Sequence, residues 1–233
     1  MASQAIHGWL VLDKPRGMTS RDALNRIQRQ LPHKTKIGHT GTLDPLATGV
    51  LVLCIGAATK SADRVQAMPK QYETRLRLGA TSNTDDADGE VIESPSTPTP
   101  TLAVIESTLP AFHGIIQQLP PQFSALKVQG QRAYDLARRG IDVALQPRPV
   151  RVDAIAVLGY EWPWLDLRID CGKGTYIRSI ARDLGAALGV GGLVQTLRRT
   201  RVGPFSAEQG IKLDAQASAA HAALLPVDTI ERN

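Results

Sequence analysis

Period-two alternation is clearest in "YETRLRLGA", where Tyr72, Thr74, Leu76 and Leu78 fall on one face and Glu73, Arg75 and Arg77 on the other. That pattern predicts a half-buried strand whose inner face begins at Tyr72. The apolar runs "WLVL" and "VLVLCIG" predict buried strands, and "VRVDAIAVLGY" and "WLDLRIDCG" predict a strand pair turning across "EWP". The clearest helical pattern is "GTYIRSIARDLGAALG", in which Ile177, Ile180, Ala181, Leu184 and Leu188 recur at helical spacing. Arg178 stands in its first turn, off the apolar stripe, where it can reach a neighbouring loop. A second helix follows "DKPRGMTS", with Thr19 or Ser20 as its cap and Leu24, Ile27 and Leu31 on its inner face.

Between these elements the chain is punctuated by turn chemistry. "NTDDADGEV" carries an Asp-Gly turn at Asp88 and Gly89 before a return strand at Val91 and Ile92. Its acids lack the ligand spacing of a calcium loop and read as a solvated turn. "SPSTPTPT" is a surface connector leading into a helix from about Leu102 to Leu109. "LPPQFSALKVQGQRAYDLARRG" reads as a Pro-Pro turn, a short strand and a helix ending at Gly140. Runs of strands broken by isolated helices, with no internal repeat, predict an α+β fold.

Composition narrows the partners. Twenty-seven Lys and Arg against 22 Asp and Glu give a formal charge of +5, an excess that favours a polyanion. Cys54 and Cys171 sit in apolar, strand-like runs and are expected as buried reduced thiols, which suits a cytoplasmic location. No run of 18 apolar residues is present, so no membrane span is expected. No coiled-coil stripe is present either, and a monomer with no required protein partner is expected.

Candidate chemistry centres on "GHTGTLDPLATGVL", which holds a lone carboxylate, Asp44. Taken alone, Asp before Pro is a way to start a turn. A catalytic reading needs a cation, a pocket and a substrate that uses a carboxylate nucleophile. Other motifs fail on inspection. "GKGTYI" has Ile177 where a dinucleotide fingerprint needs its third glycine, and "GAATKS" lacks the glycine before the lysine of a phosphate loop. The scattered histidines and cysteines offer no metal-ligand spacing, so neither metal nor cofactor is expected.

Six blocks in order, "GWLVLDKPRGMTS", "KIGHTGTLDPLATGVLVLCIGAATK", "YETRLRLGATSNTDDADG", "QFSALKVQGQRAYDLARRG", "CGKGTYIRSIARDLG" and "LRRTRVGPF", resemble the successive motifs of the TruB family, the tRNA pseudouridine-55 synthases. The resemblance implies a pseudouridine-synthase fold, with a mixed, mainly antiparallel sheet and a central cleft flanked by helices and loops. It implies isomerisation of one uridine in the T loop of tRNA, with Asp44 as the nucleophile and Arg178 pairing with it to keep it ionised. Tyr72 matches the tyrosine that packs on the flipped base and serves in proton transfer, Tyr176 and Leu197 match residues lining the uridine pocket, and His39 matches the histidine that fills the flipped nucleotide's place.

Without the resemblance, Tyr72 and Leu197 read as core residues, Arg178 as a helix-surface salt bridge and His39 as a structural histidine. Lys14, Lys60, Arg132, Arg138, Arg139, Arg198 and Arg199 are candidates for phosphate contacts, with solvated surface charge the competing account. A catalytic domain is expected over 1–210, with residues 120–148 as a mobile RNA-binding loop. Bacterial members continue into a small C-terminal RNA-binding domain, and 211–233 is expected to form no complete second domain. Asn83 replaces an acid usual in the family's Asp-rich block, which bears on the roles of Asp86 and Asp88. An RNA-binding or RNA-folding module, or a synthase acting on another RNA, would share these basic residues.

Overall fold

A computed structural model of the chain describes residues 6–94, 98–124, 126–128, 131–132, 139, 144–214, 220 and 222–231. Its contacts divide it into two compact units, one of residues 1–73 with 197–233 and one of residues 74–196. Two strands, β4 (Lys70–Leu78) and β12 (Gly192–Val202), contribute a stretch to each.

In the first unit the strand order is β14 (Ile211–Lys212), β1 (Gly8–Lys14), β3 (Thr48–Ile55), β12 and β4. β2 (Ile37–His39) and β13 (Phe205–Ser206) pair with β3 and β12. β1 and β3 run antiparallel in full register from Gly8 opposite Ile55 to Lys14 opposite Gly49, whereas β1 with β14 and β3 with β12 are parallel. This is the mixed arrangement the resemblance implies.

One face of β1 and β3 buries Trp9, Val11, Val50, Val52 and Cys54 against Val65, Phe205 and Ile230. Each such aliphatic side chain contributes roughly 1.5–3 kcal/mol by leaving water. The C-terminal segment belongs to this core: Trp9 and Leu225 exchange main-chain hydrogen bonds, and the Trp9 indole N–H donates to the Val227 carbonyl. Helix α1 (Ser20–Gln28) buries Ala23, Leu24 and Ile27 and begins with a capping box in which Thr19 and Asp22 bond each other reciprocally. It stops at Gln28, so Leu31 lies beyond the helix face predicted for it. α2 (Ala62–Ala67) packs Val65 into the same core.

In the second unit the order is β12, β4, β11 (Trp164–Cys171), β10 (Arg148–Glu161) and β7 (Gly114–Gln118). The β10–β11 hairpin turns at "EWP" as predicted, through a cis Trp162–Pro163 bond. β4 alternates between buried and more open positions as its sequence predicts, but the buried face starts at Lys70, whose ammonium donates to the Gln66 and Met68 carbonyls. Short antiparallel pairs join β5 (Ala80–Ser82) with β6 (Val91–Glu93) and β8 (Lys127–Val128) with β9 (Gln131–Arg132).

α3 (Leu102–Thr108) is capped by Thr101, and α4 (Ile177–Ala187) buries Ile177, Ile180, Ala181 and Leu184 as its stripe predicts. Gly185 lies against the Gly191 and Gly192 backbone, where a Cβ would overlap the chain. The helix expected to end at Gly140 falls largely outside the described residues. Both cysteines are free and buried, as expected. Among the described residues no helix is long and apolar enough to cross a membrane.

Candidate active site

Asp44 sits in the loop between β2 and β3, and the backbone around it is fixed from several directions. Ser20 Oγ donates to the Leu43 carbonyl at 3.0 Å and accepts from the Leu43 N–H at 2.8 Å. Gly17 N–H donates to the Pro45 carbonyl, and Ala47 N–H to the Asp44 carbonyl. Arg199 closes the other side: its guanidinium donates to the carbonyls of Gly41, Thr42 and Val50. The Arg199 backbone in turn presses on Gly49, where any Cβ would collide and where φ is +95°. The loop therefore presents Asp44, half-buried, on a backbone whose conformation is set by its neighbours.

Lys14, whose charge interacts with that of Asp44, is fully buried, with Nζ donating to the Pro15 and Met18 carbonyls at 2.9 Å. Burial pushes this ammonium down to about 8, while the Asp44 carboxylate opposes the shift and the Arg199 charge adds to it. The unfolded chain keeps the proton up to the ordinary value of 10.5, so it binds more protons than the folded chain between pH 8 and 10.5, and folding stability from this group rises with pH across that window. In Lys14→Met this rise is absent. Urea denaturation at pH 7.5 and 10.5 should show the native chain gaining about 3 kcal/mol relative to the variant.

Lys14 and Arg199 were both expected at phosphates. Their burial, at 0% and 3% exposure, assigns them instead to main-chain carbonyls around Asp44. Arg198 is partly buried and forms a two-pronged pair with Asp13 at 2.9 and 3.2 Å. Lys60 and Arg139 are exposed. Arg138 lies outside the described residues, as does much of the 120–148 loop.

The same unit holds three other expected site residues. His39 ends β2 opposite Leu53, Tyr72 is 8% exposed on β4, and Leu197 is 8% exposed on β12, its carbonyl accepting from Thr48 Oγ1.

In the second unit Arg178 is buried, not the helix-surface residue that spacing alone suggests. Its guanidinium donates to the carbonyls of Thr84 at 3.0 Å and Phe123 at 2.9 Å, and Nε lies 3.6 Å from Asp86 Oδ2. Asp86 is buried as well and accepts from Thr84 Oγ1 at 2.6 Å and from the Asp88 N–H. Asp85 takes a left-handed backbone and pairs with Arg182 at 3.0 Å; burial raises its carboxyl, opposed by the Arg182 and Arg178 charges. Within the acidic segment read as a solvated turn, Asp85 and Asp86 thus form a seat for two arginines, while Asp88 and Glu90 stay exposed. These two carboxylates turn inward because each meets a guanidinium there, and a buried charge persists only when paired.

Tyr176 precedes α4 and is gripped by Gln118, whose amide accepts from the Tyr176 N–H at 2.8 Å and donates to its carbonyl at 3.0 Å. The Arg148 guanidinium stacks 5.1 Å from the Tyr176 ring centroid while donating to the Gly174 carbonyl. Gln118 and Arg148 have no signal in the pattern of the chain, and Ser20 and Asp86 stand out there only as a helix cap and as part of an acidic turn. Ser20 and Asp86 lie inside quoted motif blocks, which is the signal that could have found them.

Comparison with known proteins decides the family. The TruB family pseudouridylate synthase N-terminal domain matches residues 29–177, and the tRNA pseudouridylate synthase B C-terminal domain matches residues 178–230. The chain belongs to the TruB family. Relatives named tRNA pseudouridine synthase B include that of Cereibacter sphaeroides, 52% identical over 90% of this chain and 69% of its own length. That of Gluconacetobacter diazotrophicus is 49% identical over 96% and 75%.

Among solved structures, a chain of the Cbf5-Nop10-Gar1 complex superposes with a TM-score of 0.75 at 29% identity, over 96% of this chain and 61% of that one. One from an H/ACA RNP bound to a substrate RNA containing 2'-deoxyuridine gives 0.71 at 27% identity, over 96% and 60%. The TruB-family chain described here thus spans about three-fifths of the length of those solved chains.

Proposed function

We propose that this TruB-family chain converts a uridine of tRNA, position 55 in the T loop, to pseudouridine, with Asp44 as its nucleophile. The reaction breaks the C1′–N1 bond, turns the uracil and joins C1′ to C5; C5 releases its hydrogen as a proton and N1 takes one up, so the product is an isomer and no redox partner is needed. Departure of the base builds positive character on the ribose, which a carboxylate stabilises or traps. Attack on C1′, assistance to a glycal and addition to the base would each use this carboxylate.

The observation that carries this reading is the Asp44 loop: a carboxylate held half-buried by Ser20, Gly17 and Arg199, in electrostatic reach of the buried Lys14. A module that only bound RNA would gain nothing from an acid fixed in this way, since a carboxylate repels phosphate. The family resemblance implies Arg178 as the partner charge for Asp44, and Asp86 with two carbonyls holds its guanidinium rigid. Tyr176, fixed by Gln118 and Arg148, offers a ring to the flipped uracil, and its stacking offsets part of the unstacking cost. His39 takes the place of the flipped nucleotide.

Carbodiimide modification and primer extension on an unmodified tRNA transcript should reveal one new pseudouridine, in the T loop. Product confined to another arm would overturn the assigned position. Tyr72→Phe keeps the ring and loses the hydroxyl, so kcat should fall by about 10²-fold or more with KM for tRNA little changed if the hydroxyl moves the final proton. Full activity would remove Tyr72 from that step.

A further inference from the structure

We propose that the hollow at the C-terminal end of α1 is a phosphate-backbone site, which grips RNA outside the pocket for the target uridine; the inference rests on the function proposed above. The cavity is about 570 Å³ and is walled by Asn25 and Gln28 of α1, by Arg29 at its C-cap and by His33, Lys34 and Thr35 of the turn behind it. None of its lining residues is acidic.

Charge distribution points to a polyanion. Residues 21–36 hold five Lys and Arg (Arg21, Arg26, Arg29, Lys34 and Lys36) against the single acid Asp22, which is engaged in the capping box. The remaining chain holds 22 Lys and Arg against 21 Asp and Glu, so nearly the whole excess of +5 is concentrated on this one helix and turn. A field that local attracts a phosphate chain rather than steering ligands over the whole surface. Arg29, His33, Lys34 and Lys36 are exposed, while Thr35 donates from both N–H and Oγ1 to the Pro32 carbonyl and fixes the turn between them.

A helix C-terminus by itself disfavours anions. Here the carbonyls of Asn25, Ile27 and Gln28 already accept from the N–H groups of Arg29, Gln30 and Leu31, which leaves the side-chain cations to set the local field. β2 starts one residue after Lys36, and along an extended strand His39 stands about 10 Å from Lys36. An RNA strand at His39 is therefore within reach of the basic turn. Contacts of this kind add affinity and position the substrate without reading bases.

The test is Arg29→Gln with Lys34→Gln, compared with the charge-matched surface pair Arg64→Gln with Arg168→Gln, by filter binding of an unmodified tRNA transcript between 50 and 200 mM salt. Loss of two phosphate contacts should lower the slope of log K against log salt by about 1.4–1.8. The Kd should rise about 10-fold or more, with kcat at saturating RNA within about two-fold of the native value, while the control pair keeps the native slope.

A native chain that forms pseudouridine, with the Arg29/Lys34 variant binding like the control, would overturn this site and leave the enzymatic reading intact. A native chain that forms none, yet loses its salt-dependent RNA grip in the variant, would support the site and sink the enzymatic reading. Variant-sensitive binding to phosphatidylserine vesicles alongside unaltered tRNA binding would also overturn the proposal.

Discussion

Asp44→Asn should lower kcat by at least about 10⁴-fold, the scale seen when a covalent or charge-stabilising nucleophile is removed. RNA binding should stay within a few-fold, because a neutral amide facing a polyanion removes repulsion rather than attraction. Stability should stay within about 1 kcal/mol, since Ser20, Gly17 and Arg199 hold the loop through backbone groups that the substitution leaves in place. Single-turnover kinetics, filter binding and a thermal melt separate the three effects. Unfolding or lost binding in this variant would return Asp44 to the role of a turn-shaping residue.

Arg178→Lys is the second large effect. A lysine keeps the charge but presents a single ammonium where the native fork serves the Thr84 carbonyl, the Phe123 carbonyl and Asp86 together. Asp86 is left buried with a poorer partner, and breaking such pairs costs about 3–5 kcal/mol when one charge is lost outright. The conservative variant should lose less, about 1–3 kcal/mol, while kcat falls by about 10²–10³-fold if the placed guanidinium serves the reaction as the resemblance implies. The decisive readout is the split: a kcat loss that persists below the melting temperature, with KM for tRNA little altered. A variant that melts earlier yet turns over normally would make Arg178 a structural ion pair alone.

Much of the scaffold was legible because side-chain periodicity reports burial directly. β4 alternates, α4 carries its apolar stripe, and the Thr19 cap announces α1. β12 was missed as a strand because "LRRTR" reads as a basic surface run, although Arg199 turns inward to main-chain carbonyls. Lys14 and the Asp85–Asp86 turn were misread for the same reason. A charged residue looks exposed in sequence unless its partner is known, and these partners are backbone oxygens or arginines far along the chain. β7 was not predicted because "GIIQQ" is short and, apart from Gln118, largely open to solvent.

Asp44, Tyr72 and Arg178 are legible as candidates through their motif blocks, whereas spacing alone leaves each with a structural explanation. The groups that hold them, Ser20 at Leu43 and Asp86 at Arg178, became visible only once folding joined segments distant in sequence. Gln118, 58 positions from Tyr176, is another such case.

The central claim is that this chain isomerises a tRNA uridine through Asp44. It is tested most directly by tritium release from a transcript labelled at uridine C5, with the native chain and Asp44→Asn side by side. Release by the native chain alone, matched in amount by pseudouridine in the T loop, is the predicted result. Equal release by both, or none by a native chain that binds the transcript, would contradict it.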